Sequence, residues 1–102
     1  MKDSDSPPRV GQVVRIKRGR DTGQYAVVVG VLDERFLLLA DGDKRKFDKA
    51  KKKNVNHIEP LPHISDEVIR SIEETGRVTN AKLRFALGVF SQQHLELLKE
   101  GE

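Results

Sequence analysis

The chain has 102 residues, of which 36% are hydrophobic and 34% charged, and its formal net charge is +3. This length fits one domain, or one domain with an appendage, and the composition is that of a folded but highly charged protein. There is no cysteine, which excludes a disulfide framework and a cysteine-based zinc site.

Residues 1–8 are polar and end in two prolines, so we interpret them as a disordered leader. A β pattern follows. Val14 and Ile16 alternate with Arg15 and Lys17, which predicts a strand with one buried face.

The next stretch, "RGRDTGQYAVVVG", carries two glycines four residues apart and a cluster of cations. A phosphate-binding P-loop needs four residues between its glycines, then Lys and Ser or Thr, and it leads into a helix. Here three residues intervene and Gln24 follows the second glycine. We therefore interpret Gly19–Gln24 as a tight turn between two strands, with backbone positions that favour φ > 0.

Further strands are predicted by a β-branched run and by turn signals. "YAVVVGVL" is typical of a strand buried on much of both faces, and Gly30 within it suggests a bulge. "DER" and "DGD" are turns on either side of a third strand, residues 36–40. We predict a fourth strand near Lys49–Asn54, with Lys51 and Lys53 pointing outward.

Beyond Pro60 and Pro62, which bar a helix there, the period changes to that of helices. Ser65 suits an N-cap and Gly76 a C-terminal stop. A second helix is predicted from Thr79 or Asn80. The residues expected to pack inward from the first two helices, or together, are Ile69, Ile72, Leu83, Leu87 and Phe90. Ser91 is expected to cap a third short helix that carries Leu95 and Leu98, after a break near Gly88.

These patterns predict an α+β protein: a small SH3-like β-barrel of four to five strands followed by two or three C-terminal helices. The expected organisation is a leader over residues 1–8, a barrel over 9–62 and a helical extension over 63–102.

The residues offer little for catalysis or metal binding. His57 and His63 are separated by two prolines, and the acidic pair Asp41/Asp43 belongs to a turn signal. The longest apolar run, residues 26–32, is too short to cross a bilayer. We therefore expect no enzyme activity, no cofactor, no metal, no small-molecule substrate and no membrane partner, and a cytoplasmic location.

The positive charge is concentrated in the β part. Residues 9–63 hold 13 Lys/Arg and 7 Asp/Glu, whereas residues 64–102 hold 5 and 7. The run "KAKKK" alone is equally typical of a solvated edge strand, which lysines protect from aggregation. A second basic cluster at residues 15–20 favours an anionic partner, if the two clusters share one face.

The stretch "VGQVVRIKRGRDTGQYAVVVGVLD" resembles a KOW motif, a hairpin signature with alternating apolar positions around a fixed glycine. Continued through the third strand to "KKKNVNHIEP", the sequence resembles the large-subunit ribosomal protein L-fourteen-e family of archaea and eukaryotes. The resemblance covers residues 10–62. The three aspartates in the loop 41–48 and the helical tail depart from archaeal members, so the chain is identified as a bacterial relative of that group.

The resemblance implies an SH3-like barrel that binds RNA, either ribosomal RNA or another structured RNA, with ribosome association. It places RNA contacts in the glycine turn and in the basic strand, and the neighbouring basic loop extends them. The candidate residues are Lys17, Arg18, Arg20, Thr22, Gly23, Gln24, Arg45, Lys46, Lys51, Lys52 and Lys53. The alternative is a protein–protein interaction module of the translation or transcription machinery, since SH3-like barrels also dock peptides.

Overall fold

The computed structural model describes residues 7–100, with side chains through residue 93, and it contains five strands and two helices. The strands are β1 (Gln12–Ile16), β2 (Tyr25–Val31), β3 (Phe36–Ala40), β4 (Lys51–Asn54) and β5 (Ile58–Ile64), and the helices are α1 (Asp66–Thr75) and α2 (Asn80–Glu100). All strand pairs are antiparallel, in the order β4-β3-β2-β1-β5. The predicted fold class, an SH3-like barrel followed by helices, is confirmed.

The central strand β2 is buried on both faces. Ala26 and Val28 join the barrel interior with residues of β1, β3 and β5. Val27 and Val29 face the other way, into a second cluster with α1 and α2. This two-sided burial is why the strand is an unbroken run of small and β-branched residues.

The helices cover the outer face of β2 and β3. Val68 of α1 and Leu83 of α2 are fully buried there, and Ile72 and Leu87 pack against the same cluster. Phe90 is also buried. The expected inward packing is therefore confirmed for Ile72, Leu83, Leu87 and Phe90, and Ile69 is half-buried.

Local capping signals set the bounds of α1. The Ser65 hydroxyl accepts the Val68 N–H at 3.3 Å at the N-terminus. Gly76 ends the helix with φ 76°, and its N–H donates to the Ile72 carbonyl. Both predicted caps are confirmed.

Three expectations from the sequence were wrong. The β part does not end at Pro62, because β5 continues through both prolines to Ile64. Ser91 does not cap a third helix, because α2 runs without a break past Gly88. Lys53 does not point outward; it is 9% exposed. The predicted leader lies mostly outside the described residues, as do the side chains of Leu95 and Leu98.

The edge strand β5 accommodates its prolines because only one of its sides pairs with a neighbour. Its register with β1 shifts between Gln12 and Val14. The Gln12 side-chain amide donates to the Leu61 carbonyl at 2.8 Å in this region. A side chain thus supplies a bond where the regular ladder is interrupted.

Two glycines with positive φ allow a matched test of packing. An alanine Cβ at Gly42 (φ 81°) would fall on the Asn80 carbonyl oxygen and lie 3.0 Å from Leu83 Cβ, whereas at Gly76 (φ 76°) no atom lies within 4 Å. We expect Gly76→Ala to lower the free energy of unfolding by about 1–2 kcal/mol through backbone strain. Gly42→Ala should cost about 1–3 kcal/mol more, because the helix must move. Urea denaturation measures both, and equal losses would contradict the packing of α2 on this turn.

The turn before β3 predicts that the stability of the protein depends on pH. Asp33 Oδ1 accepts the N–H groups of Arg35 and Phe36 at 2.8 and 2.9 Å, and these bonds lower the pKa of its carboxyl. A lowered folded-state pKa adds stability above the unfolded pKa, and that stability is lost as pH falls through the folded value. The difference in melting temperature between the wild type and Asp33→Ala should therefore be constant near neutral pH and shrink in acid. Asp43→Ala, whose carboxylate accepts no hydrogen bond among the described residues, is the control; a pH-independent Asp33→Ala deficit would refute this account.

Candidate nucleic-acid interface

The turn between β1 and β2 is rigid and positively charged. Gly19 and Gly23 have φ of 98° and 91°, which L-residues rarely adopt. The Thr22 hydroxyl donates to the Gly19 carbonyl at 2.6 Å, and the Gly23 N–H donates to the Ile16 carbonyl at 2.7 Å. The turn therefore closes on itself, and it projects the exposed side chains of Lys17, Arg18 and Arg20.

This geometry assigns Thr22, Gly23 and Gln24 a role inside the turn. The Gln24 N–H donates to the Asp21 carbonyl at 3.0 Å, and the Gln24 carbonyl accepts the Ile16 N–H. The Gly23 amide is likewise occupied.

The loop that follows β3 is folded by local and long-range hydrogen bonds. Asp41 Oδ1 accepts the N–H groups of Asp43 and Arg45, both at 2.8 Å. From α2, the Asn80 side chain accepts the Phe47 N–H at 2.8 Å, and Arg84 donates to the Gly42 carbonyl at 2.7 Å. The helix therefore holds both ends of a loop that presents exposed basic side chains: Lys44, Arg45 and Lys46.

Consecutive lysines of β4 differ in their surroundings. Lys51 is half-buried and Lys53 buried, and both line a groove at the end of the barrel. Lys52 is exposed, and its Nζ lies over the Phe36 ring, 4.5 Å from the centroid. The alternation of a strand thus separates Lys52 from its two neighbours.

The groove brings together three parts of the chain that are distant in sequence. Its volume is about 70 Å³. The glycine turn contributes Asp21 and Gln24. The loop contributes Asp41, Lys44 and Arg45, and β4 contributes Lys51 and Lys53. Lys44 was absent from the predicted set, and the adjacent "KRK" run is the signal that could have included it. The predicted residues that do not line this groove are Lys17, Arg18, Arg20, Thr22, Gly23, Lys46 and Lys52.

Asp21 and Asp41 line this groove beside the cations, but none of these cations forms an ion pair within residues 7–93. In residues 7–93, the single pair of a cation and a carboxylate within 4 Å is Arg15–Glu59, at 3.3 Å across β1 and β5. Its side chains are 41% and 51% exposed, so it contributes little to stability. The other lysine and arginine side chains of the barrel have no carboxylate oxygen within 4 Å in these residues.

The aromatic residues of the barrel pack against the protein. Tyr25 contacts Phe90 of α2, with ring centroids 5.1 Å apart, and Phe47 packs on the helical cluster. Phe36 is half-buried beneath Lys52. Its position at the start of β3, beside a turn, explains the exposure.

A larger cavity lies away from these residues, between α1, α2 and the 3-10 turn Phe47–Lys49. Its volume is about 560 Å³. Its polar groups bond to one another: Lys82 Nζ donates to the Ser71 hydroxyl at 2.8 Å. Within the described part of the chain, no group of His, Asp and Glu side chains could hold a metal ion, and no helix could span a membrane.

Comparisons with known proteins agree in pointing to one family. The KOW motif model matches residues 10–40, which span β1 to β3. The chain is 45% identical over 71 residues to the Bacillus subtilis protein named "Putative ribosome-binding protein YbzG", covering 70% of this chain and 96% of that one. It is 35% identical over 77 residues to the large ribosomal subunit protein eL14 of Pyrobaculum arsenaticum, covering 68% and 75%. The eL14 protein of Staphylothermus marinus is 32% identical over 75 residues, covering 66% and 78%.

The hydrogen bond from α2 to the basic loop, residues 41–48, can be tested directly. Asn80→Ala leaves the half-buried Phe47 N–H without its acceptor, which should cost about 1–3 kcal/mol in unfolding free energy. Amide hydrogen exchange at Phe47 should also accelerate. Gln92→Ala, an exposed change on the same helix, serves as the control and should fall within about 0.5 kcal/mol of the wild type. Unchanged exchange at Phe47 in Asn80→Ala would show that the loop does not depend on α2.

Proposed function

The chain belongs to the family of KOW-motif proteins that includes YbzG and the eL14 proteins, and on this basis we propose that it binds RNA as a ribosome-associated protein. The RNA is ribosomal RNA or another structured RNA, and the location is the cytoplasm. The protein acts by binding, without catalysis.

The observation that carries the proposal is the convergence of unneutralised cations on one groove. Four cationic side chains of the loop and β4 line it, and no carboxylate oxygen lies within 4 Å of their nitrogens within residues 7–93, although Asp21 and Asp41 share the lining. A set of fixed positive charges attracts a polyanion and releases its counterions, which favours binding. Turn, loop and strand are each held by hydrogen bonds, so little order needs to be gained on binding.

The mode of recognition we propose is contact with the phosphate backbone and its shape. Tyr25 and Phe47 already pack on the helices, which leaves few rings for stacking on bases. Contacts from lysine and arginine side chains to phosphates fix position on a nucleic acid and carry no sequence information directly. Structured RNA, which presents phosphates in a fixed arrangement, suits such a surface.

A second candidate function is protein binding through α2. Phe85 is 64% exposed, on the side of the helix away from the barrel. An exposed aromatic ring of this kind is typical of contact sites with other proteins. The two functions are compatible in a ribosome-associated protein, because their surfaces differ.

The proposal predicts a salt-dependent affinity that falls with each cation removed. Arg20→Ala should leave the melting temperature nearly unchanged, since changes of solvated charges usually fall within about 0.5 kcal/mol. Lys51→Ala removes a half-buried side chain, so it should lower the melting temperature modestly while the protein stays folded. Each should weaken binding to a structured RNA and reduce the slope of log K against log salt by about one. Fluorescence anisotropy over a salt series measures both quantities.

Sedimentation tests the proposed association with ribosomes in cells. The tagged protein should travel with ribosomes or ribosomal subunits in sucrose gradients and leave them at high salt, and crosslinking with sequencing should identify the bound RNA. Phe85→Ser should not alter this salt dependence. If Arg20→Ala and Lys51→Ala bind RNA as tightly as the wild type at low salt, whereas Phe85→Ser abolishes sedimentation with ribosomes, the protein-binding function replaces the RNA-binding one.

A further inference from the structure

Lys53 is the one buried cation among residues 7–93. It is 9% exposed and lies in β4 opposite Leu37, a residue of the barrel interior. Its Nζ reaches the glycine turn: a Cβ built on Gly19 would lie 2.9 Å from this atom. No carboxylate lies within 4 Å of it in the described residues, and it makes no hydrogen bond there. Its stem is buried, whereas its ammonium nitrogen keeps contact with solvent, because no side-chain nitrogen in the described residues is both fully buried and without a hydrogen-bond partner.

The turn beside this ammonium has a run of free backbone donors. The N–H groups of Thr22, Gly23 and Gln24 donate to carbonyls within or next to the turn. The N–H groups of residues 18–21 donate to no acceptor in the described part of the chain. The free donors are therefore confined to the four residues around Gly19, where the Lys53 ammonium lies.

We infer that the Lys53 ammonium and the N–H groups of residues 18–21 form a subsite for one backbone phosphate of the RNA, an inference that rests on the proposed function. An ammonium and neighbouring backbone N–H groups are the donors that bind phosphate oxygens in proteins. The side chains of Arg18 and Arg20 add positive charge, and Asp21 is the one carboxylate of the turn. The anion gives an oppositely charged partner to an ammonium that has no carboxylate within 4 Å in the described residues.

The subsite also gives a reason for a glycine at residue 19, in addition to the backbone shape of the turn. Gly19 and Gly23 have nearly the same φ, 98° and 91°, so a side chain would strain the backbone similarly at either position. At Gly23 an added Cβ would meet no atom within 4 Å. At Gly19 it would displace the lysine ammonium. Because Gly19 has no side chain, the Lys53 ammonium can lie beside the turn.

Two adjacent lysines provide the decisive comparison. Lys53→Met and Lys52→Met remove the same charge, and Met retains most of the apolar stem, so the barrel should stay folded. The probe is a fluorescently labelled RNA hairpin at low salt. Loss of a desolvated, charge-assisted contact should weaken binding about 10- to 100-fold for Lys53→Met. The exposed Lys52 should account for about threefold or less.

Gly19→Ala and Gly23→Ala test the same subsite without changing any charge. Both should lower the melting temperature similarly through backbone strain, but Gly19→Ala should lose at least about threefold more affinity for the hairpin. In the double variant Gly19→Ala/Lys53→Met, the alanine should cost no further affinity, because the ammonium it displaces is already gone.

The outcomes separate the two proposals. If the wild type shows no salt-dependent binding to the hairpin, the proposed function fails. If the wild type binds but the losses for Lys53→Met and Lys52→Met lie within threefold of each other, RNA binding stands and the subsite is overturned. A larger difference, in the expected direction, supports the subsite. A drop in melting temperature for Lys53→Met with unchanged affinity would make this lysine a structural cover for the barrel.

Discussion

Burial of β2 on both faces is the constraint on which the rest of the structure depends. Val27 and Val28 are adjacent and both fully buried, yet they point into different cores. A barrel alone can cover only one of these faces. Because the uncovered valines would cost about 25 cal/mol for each Å² of apolar surface left in water, the chain after β5 must return across the outside of the sheet. The helical extension is therefore an integral part of the domain.

The packing of the helices on the sheet also positions the residues of the candidate interface. Leu83 anchors α2 to the sheet, and this places Asn80 and Arg84 beside the basic loop, where each makes a hydrogen bond to its backbone. Further along the helix, Phe90 contacts Tyr25 at the end of the glycine turn. The acidic extension thus positions basic elements without contributing to their charge. This arrangement favours binding of a polyanion, since rigid placement of the basic side chains lowers the entropy lost on binding.

Features with local causes could be predicted from the sequence, and features with distant causes could not. The glycine turn, the bulge at Gly30 and the cap at Ser65 follow from residues within a few positions of each other. The continuity of α2 past Gly88 does not, because packing on either side of that residue outweighs a helix penalty of about 1 kcal/mol. The inward direction of Lys53 was missed for a related reason. A four-residue strand between two 3-10 turns has too short a pattern to fix which face is buried.

The prolines of β5 have a consequence for the protein outside any complex. The sheet has two terminal strands, β4 and β5. On β5, Pro60 and Pro62 have no N–H to donate, and on β4 the lysines repel a like-charged neighbour. Both edges therefore disfavour the addition of a strand from another copy, which protects the protein from edge-to-edge aggregation.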